Sequence, residues 1–197
     1  MIAVIGYTRV CKEMVLLKIA DVIKKVDEWQ PNVFSDEDKL YWCYECTMHI
    51  LNECPVYDTY SKVIYRDGGI FMLPSGVGVC DIAELYVNGV KIPVTNETDF
   101  GGYVFKKNDK VSVVYRKYPD EYELADGAVP EDVETVVGAP YESMYIDYVC
   151  AQIAYQQNDA AEYNKFIGAF NDKMSAYKVY YKSNSPSDVK RRFKNWF

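Results

Sequence analysis

Apolar residues recur at helical spacing toward both ends of the chain and alternate with polar ones in the middle. Val15, Leu16, Ile19, Val22, Ile23 and Val26 share one stripe, with Lys18, Asp21, Lys24 and Lys25 opposite. That spacing predicts a first helix from Arg9 to about Glu28. "DEWQPNVFS" links it to a second. Ser35 followed by Asp38 has the form of a capping box, and Asp36, Glu37 and Asp38 place negative charge at the helix start. This predicts a helix from Asp36 to about Asn52, with Pro55 beyond its end.

From Val56 the pattern changes. "SKVIYRD" is a candidate strand, followed by Gly68–Gly69 and "IFMLP". In "ELYVNGVKIPV" the pair Asn88–Gly89 predicts a type I′ hairpin, and Pro93 makes its second arm an edge or ends it. "YVFKKNDKVSVVYRKYP" predicts a second hairpin turning at Asn108–Asp109. Residues 59–118 thus read as a small antiparallel β module, and Pro119–Ala139, acidic and weakly patterned, as a connecting loop.

Helical character returns at Pro140, a suitable first-turn residue. "YESMYIDYVCAQIAYQQ" is apolar nearly all round, which predicts the most buried helix. Asn158 is then placed to cap a fourth helix, "DAAEYNKFIGAFNDKMSAYKVYY". In it Tyr163, Ile167, Phe170, Met174, Tyr177 and Tyr181 step as a heptad seam, used for packing within the chain or in part between subunits. The predicted class is α+β: a helical bundle body of about four helices, an inserted small antiparallel β module and an extended C-terminal tail. The expected boundaries are 1–58 for the first part of the body, 59–137 for the β module and connecting loop, 138–182 for the second part, and 183–197 for the tail.

Composition narrows the function. The net charge of −7 over 197 residues argues against a surface that binds nucleic acid non-specifically. The apolar runs are too short and broken for a membrane span, and the N-terminus lacks the basic start and cleavage site of a signal peptide. The expectation is a soluble protein of intracellular origin. Six cysteines are too few for a disulfide scaffold of this length and read as buried thiols.

Three of those cysteines and the one histidine lie in "YWCYECTMHILNEC", spaced C-x2-C-x2-H-x4-C. Zinc needs four ligands converging on one point. On one straight helix Cys54 lies two turns or more beyond Cys46, so Cys43, Cys46, His49 and Cys54 cannot meet at one ion, and no second C-x2-C or histidine supplies the deficit. The expectation is no metal. No nucleophile elbow, P-loop or dinucleotide glycine pattern is present, and the glycines of "GGIFMLPSGVGVCD" precede no helix. The carboxylate pairs Asp120–Glu121 and Glu131–Asp132 sit in the acidic loop. The chain is therefore expected not to be an enzyme and to carry no cofactor. An unrecognised carboxylate site would be the exception.

The tail reverses the chain's charge. After the hinge of Ser183, Ser185, Pro186 and Ser187, "VKRRFKNWF" gathers four cations and three aromatics. Lys190, Arg191, Arg192, Phe193, Lys194, Trp196 and Phe197 are the candidate partner-binding residues, because Arg and Trp are enriched in interface hot spots.

The order of elements, with "ELYVNGVKIP", "VSVVYRKYP" before its proline, and "YESMYIDYVCAQIAYQQNDAAEYNKFIGAFNDKMSAY", resembles the head-to-tail connector, or adaptor, proteins of tailed bacteriophages. The likeness covers most of Arg9–Tyr181. It implies a virion structural protein at the head–tail junction, made in the host cytoplasm. Such a protein forms a homo-oligomeric ring, commonly a dodecamer, that docks on the portal protein and meets a downstream tail protein. DNA passes through its channel without specific binding, and no membrane is involved. A C-terminal tail inserted into the portal would suit the family. The alternative from the residues is a small binding module whose Tyr-rich β domain holds carbohydrate or peptide.

Overall fold

The computed structural model describes residues 16–94 and 104–184. These residues form an α+β structure with four α-helices and two small antiparallel sheets. They divide into two compact units, residues 55–118 and residues 16–54 together with 119–184.

In the second of these units, α1 (Ile19–Trp29) buries Ile19, Val22, Ile23 and Val26, the stripe its spacing predicts. The residues just before it depart from expectation. Leu16–Lys18 are not helical but form a short strand, β1, paired antiparallel with β6 (Glu134–Gly138). The segment expected to be a plain connecting loop, Pro119–Ala139, therefore contains a strand. The reason is a distant partnership that local periodicity does not encode. The Leu17 N–H donates to Thr135 Oγ1 (3.1 Å) and the Ile19 N–H to the Val133 carbonyl (2.9 Å). Thr135 and Val137 are buried. Within the same segment Asp126 and Gly127 adopt positive φ (52° and 80°) and close a tight turn between Ala125 and Ala128, the Asp-Gly chemistry such turns favour.

The second helix, α2 (Asp36–Glu53), begins at its capping box: Ser35 Oγ accepts from the Asp38 N–H (3.1 Å), and Asp38 Oδ2 accepts from the Ser35 N–H (3.0 Å). The third, α3 (Met144–Gln156), starts later than Pro140. The Ala139–Pro140 bond is cis, and the Tyr141 and Met144 N–H groups are spent in turns to Gly138 and Tyr141. Nine of its thirteen residues are buried, in line with its all-round apolar sequence.

The last helix, α4 (Ala160–Asn184), is capped by Asp159 rather than Asn158. Asp159 Oδ1 accepts from the N–H groups of Ala161 (3.1 Å) and Glu162 (3.0 Å), while Asn158 takes the left-handed φ of 59°. Asparagine tolerates that conformation, so the two adjacent polar residues divide the turn between them. The heptad seam packs within the chain: Phe170, Met174 and Tyr177 are buried, and Tyr163, Ile167 and Tyr181 pack against the same core. That core also holds Leu40, Cys43, Cys46, Tyr145, Val149 and Cys150.

The other unit is a four-stranded sheet in the order β2-β5-β3-β4, with β2 Tyr57–Val63, β3 Ile82–Val87, β4 Val90–Ile92 and β5 Lys110–Arg116. The Asn88–Gly89 hairpin forms as expected, with φ of 52° and 82°, and β4 is an edge strand that stops before Pro93. The hairpin expected about Asn108–Asp109 does not form in that way. Residues 104–106 carry no strand, and β5 pairs instead with β2 and β3. Asp109 accounts for this. Its Oδ2 accepts from the Lys106 N–H (2.7 Å) and its Oδ1 from the Asn88 side-chain amide (2.8 Å), so the approach to β5 is folded into a turn. The candidate strand "SKVIYRD" is strand only to Val63, because β2 begins earlier, at Tyr57, and "IFMLP" carries no strand. Phe71 is buried against Phe105 and Tyr60 and covers one face of the sheet, over Leu85, Val87, Val111 and Val113.

Candidate interaction surface

The residues that the sequence singles out for partner binding, Lys190, Arg191, Arg192, Phe193, Lys194, Trp196 and Phe197, lie outside the described residues. What is described offers one cysteine–histidine helix, two charges buried beside the helical core and one unusual surface.

On α2 the helical repeat sends Cys43, Cys46 and Cys54 into the core and leaves His49 exposed, its ring 5.6 Å from that of Phe170. Burial pushes the Cys43 and Cys46 thiols far up and the Cys54 thiol to about 11; on α3 it pushes Cys150 to about 12. A thiol held protonated is a poor nucleophile and a poor metal ligand. Among the described residues, no three of His, Cys, Asp or Glu come together as a metal-ligand set.

Two charges are buried beside this core. Lys39 has a side chain only 5% exposed and meets Asp27 Oδ1 at 2.7 Å and Asp36 at 3.6 Å. Asp147 is hydrogen-bonded to Lys173; burial raises its carboxyl above the ordinary value, and Lys173 opposes that rise. Each charge has its partner, as buried ions require.

The exposed end of the β sheet is different. Strand register brings Val63 opposite Lys110 and Lys62 opposite Val111, while the Asn88 N–H donates to the Lys110 carbonyl (2.9 Å). The Gly68 N–H donates to the Phe105 carbonyl (2.8 Å), and the Lys107 N–H to Asp67 Oδ1 (2.8 Å). Residues 62–72, 88–90 and 104–110 thus gather at one end of the sheet. Five cations stand there, Lys62, Arg66, Lys106, Lys107 and Lys110, all exposed and in no salt bridge among the described residues. Among the described residues the carboxylates of that end are Asp67, held by the Lys107 N–H, and Asp109, buried and held as described above.

Between the cations lie exposed apolar side chains: Tyr65 (78%), Ile70 (79%), Met72 (68%) and Val104 (72%), with Val90 at the hairpin. Ile70 and Met72 flank Phe71, whose burial in the sheet turns its neighbours outward. Large apolar side chains grouped on a surface mark an interaction site more often than scattered ones do. The signal was present in the sequence as "KVIYRD" and "FKKNDK". It stayed hidden because only the fold brings these segments and the Asn88–Val90 hairpin side by side.

The helical unit carries the opposite charge. Its described residues hold twenty Asp and Glu against eight Lys. A shallow groove of about 580 Å³ lies on it, lined by Ala20, Ile23, Ala128 and Val129 and edged by Lys24, Asp27, Glu28 and Asp36. Among the described residues, no helix is long and apolar enough to cross a membrane. No protein-family model and no curated protein matches the sequence.

Proposed function

We propose that the chain is a head-to-tail connector of a tailed bacteriophage: a helical bundle body with an inserted β module and a C-terminal docking tail. It assembles as a ring under the portal protein and passes DNA without gripping it. The observation that carries this reading is the organisation of the helical unit. Two N-terminal helices and two C-terminal helices share one core, built around the largely buried α3 and the aromatic seam of α4, and a separate β unit lies between them in sequence. The role is structural rather than catalytic. The burial of Cys43, Cys46, Cys54 and Cys150 and the paired buried charges support that, as does the concentration of exposed apolar and basic residues on one surface; Cys80, read with the other cysteines as buried, is exposed.

The test is attachment to portal-bearing heads. Purified chain is mixed with DNA-filled heads that lack a tail and imaged by electron microscopy. Added ring density at the portal vertex is the expected result, and removal of Val189–Phe197 should abolish it while leaving the melting temperature nearly unchanged. No density with the full chain defeats the reading.

A further inference from the structure

We propose that the basic, apolar end of the β sheet docks on the acidic helical unit of a second copy of the chain, over the groove between α1 and the 125–129 turn. The inference rests on the ring reading for closure of the assembly, and it names the contact that would build the ring. Five cations in no salt bridge among the described residues and five exposed apolar side chains crowd one end of a small sheet. An apolar centre with charged surroundings is the anatomy of a protein interface. Nucleic acid would use the cations but gains little from Ile70, Met72, Val90 and Val104, since its outer surface is sugar and phosphate. An acidic protein face with an apolar floor uses both.

The same chain offers such a face. Ala20, Ile23, Ala128 and Val129 supply the floor; Glu28, Asp27 and Asp36 stand at the rim beside Lys24, with Asp27 and Asp36 also meeting Lys39, on a unit whose described residues hold twenty carboxylates against eight lysines. The two surfaces are different patches of one molecule. Their union is therefore head-to-tail, and a head-to-tail contact closes into a ring when its rotation permits.

Three variants test this, read by sedimentation velocity at low and moderate salt and by circular dichroism for folding. The end variant is Lys107→Glu/Lys110→Glu, the apolar variant is Ile70→Ser/Met72→Ser, and the groove variant is Glu28→Lys/Ala128→Trp. Wild type should self-associate, more weakly as salt rises. Each variant alone should lose association by about tenfold or more, as reversal of complementary charge or loss of an apolar anchor does. Mixing the end variant with the groove variant should restore one contact and give dimers only, since each supplies one intact surface.

A wild-type chain that stays monomeric at low salt, an end variant that associates like wild type, or a mixture with no dimer overturns the proposal. The head-attachment assay is scored separately. Attachment with an unaffected end variant removes this contact and leaves the connector reading. Self-association through this contact without attachment does the reverse.

Discussion

The hydroxyl of Tyr145 lies 2.7 Å from Oγ1 of Thr47, inside the helical core. Thr47 has one proton to give. It goes to the Cys43 carbonyl (3.1 Å), so both Tyr145 and Tyr122 (3.0 Å) donate to Thr47. The Tyr145 oxygen in turn accepts the Val136 N–H (3.2 Å). A single threonine thus fastens α2 to α3 and to the segment that ends in β6. Tyr145→Phe deprives the Val136 N–H of its acceptor, and Thr47→Val deprives both phenols. Each should cost about 1–3 kcal/mol in urea unfolding. The double variant should cost less than the two together, because the losses share one network.

Lys39 and Asp27 should respond unequally. The Lys39 side chain is 5% exposed and that of Asp27 44%. Asp27→Asn gives the buried ammonium a neutral acceptor in place of its nearer carboxylate and leaves only Asp36, at the longer distance, as its counter-charge, which should cost toward the low end of the roughly 3–5 kcal/mol seen for broken buried pairs. Lys39→Met leaves Asp27 in water and keeps most of the packing, so its cost should be the smaller. Equal costs in denaturant titrations would show that the ion pair is not what holds Lys39.

Stability should fall at both extremes of pH for separate reasons. The Lys106 N–H, then the Asn88 amide, hold the Asp109 carboxyl below its ordinary 3.8. A lowered folded value means stability present above the ordinary range and lost as pH falls through the folded one. Asp109→Asn should therefore flatten the acid limb of a melting-temperature profile. Cys54 and Cys150 are raised from 9.0 to about 11 and about 12. Their unfolded forms ionise first, so their contribution should be lost as pH rises from about 9 through 11. Cys54→Ala/Cys150→Ala should lower the melting temperature at pH 7 and reduce its alkaline slope.

Gly89→Ala isolates a backbone effect. A Cβ at Gly89 meets nothing within 4 Å, yet φ is 82°. The loss should be about 1–2 kcal/mol from the left-handed conformation alone, with the rest of the sheet intact by circular dichroism.

In the C-terminal tail, Trp196→Ala should weaken head attachment more than Lys194→Ala. A buried ring contributes more than a charge at an interface rim. Equal effects in the attachment assay would count against an aromatic anchor.

The elements legible in the sequence are those whose signal is local. The capping box at Ser35, the Asn88–Gly89 turn, the all-round apolar α3 and the seam of α4 each need only a few neighbouring residues to declare themselves. What the sequence hid was non-local. Leu16–Lys18 look like the interior of a helix begun at Arg9 until Thr135 claims the Leu17 N–H from 118 positions away. The turn before β5 looks like a hairpin because the pull of Asp109 on Asn88 and Lys106 is invisible along the chain. The cationic and apolar end of the sheet was hidden for the same reason, being assembled from three separate segments.

Val56 and Lys117 are bonded neighbours: the Lys117 N–H donates to the Val56 carbonyl at 2.9 Å, one step beyond the pairing of Tyr57 with Arg116. For the rest of the chain, everything between them therefore has the span of a tight turn. Closing a loose loop of that length would cost about 3–4 kcal/mol in chain entropy, and the β2–β5 pairing holds that loop closed. On the ribosome, the first two helices emerge long before β6 and α3, and the finished sheet would keep their two halves within reach. In a genome, the same geometry makes the stretch an exchangeable cassette, replaceable by any sequence whose ends meet as two adjacent strands.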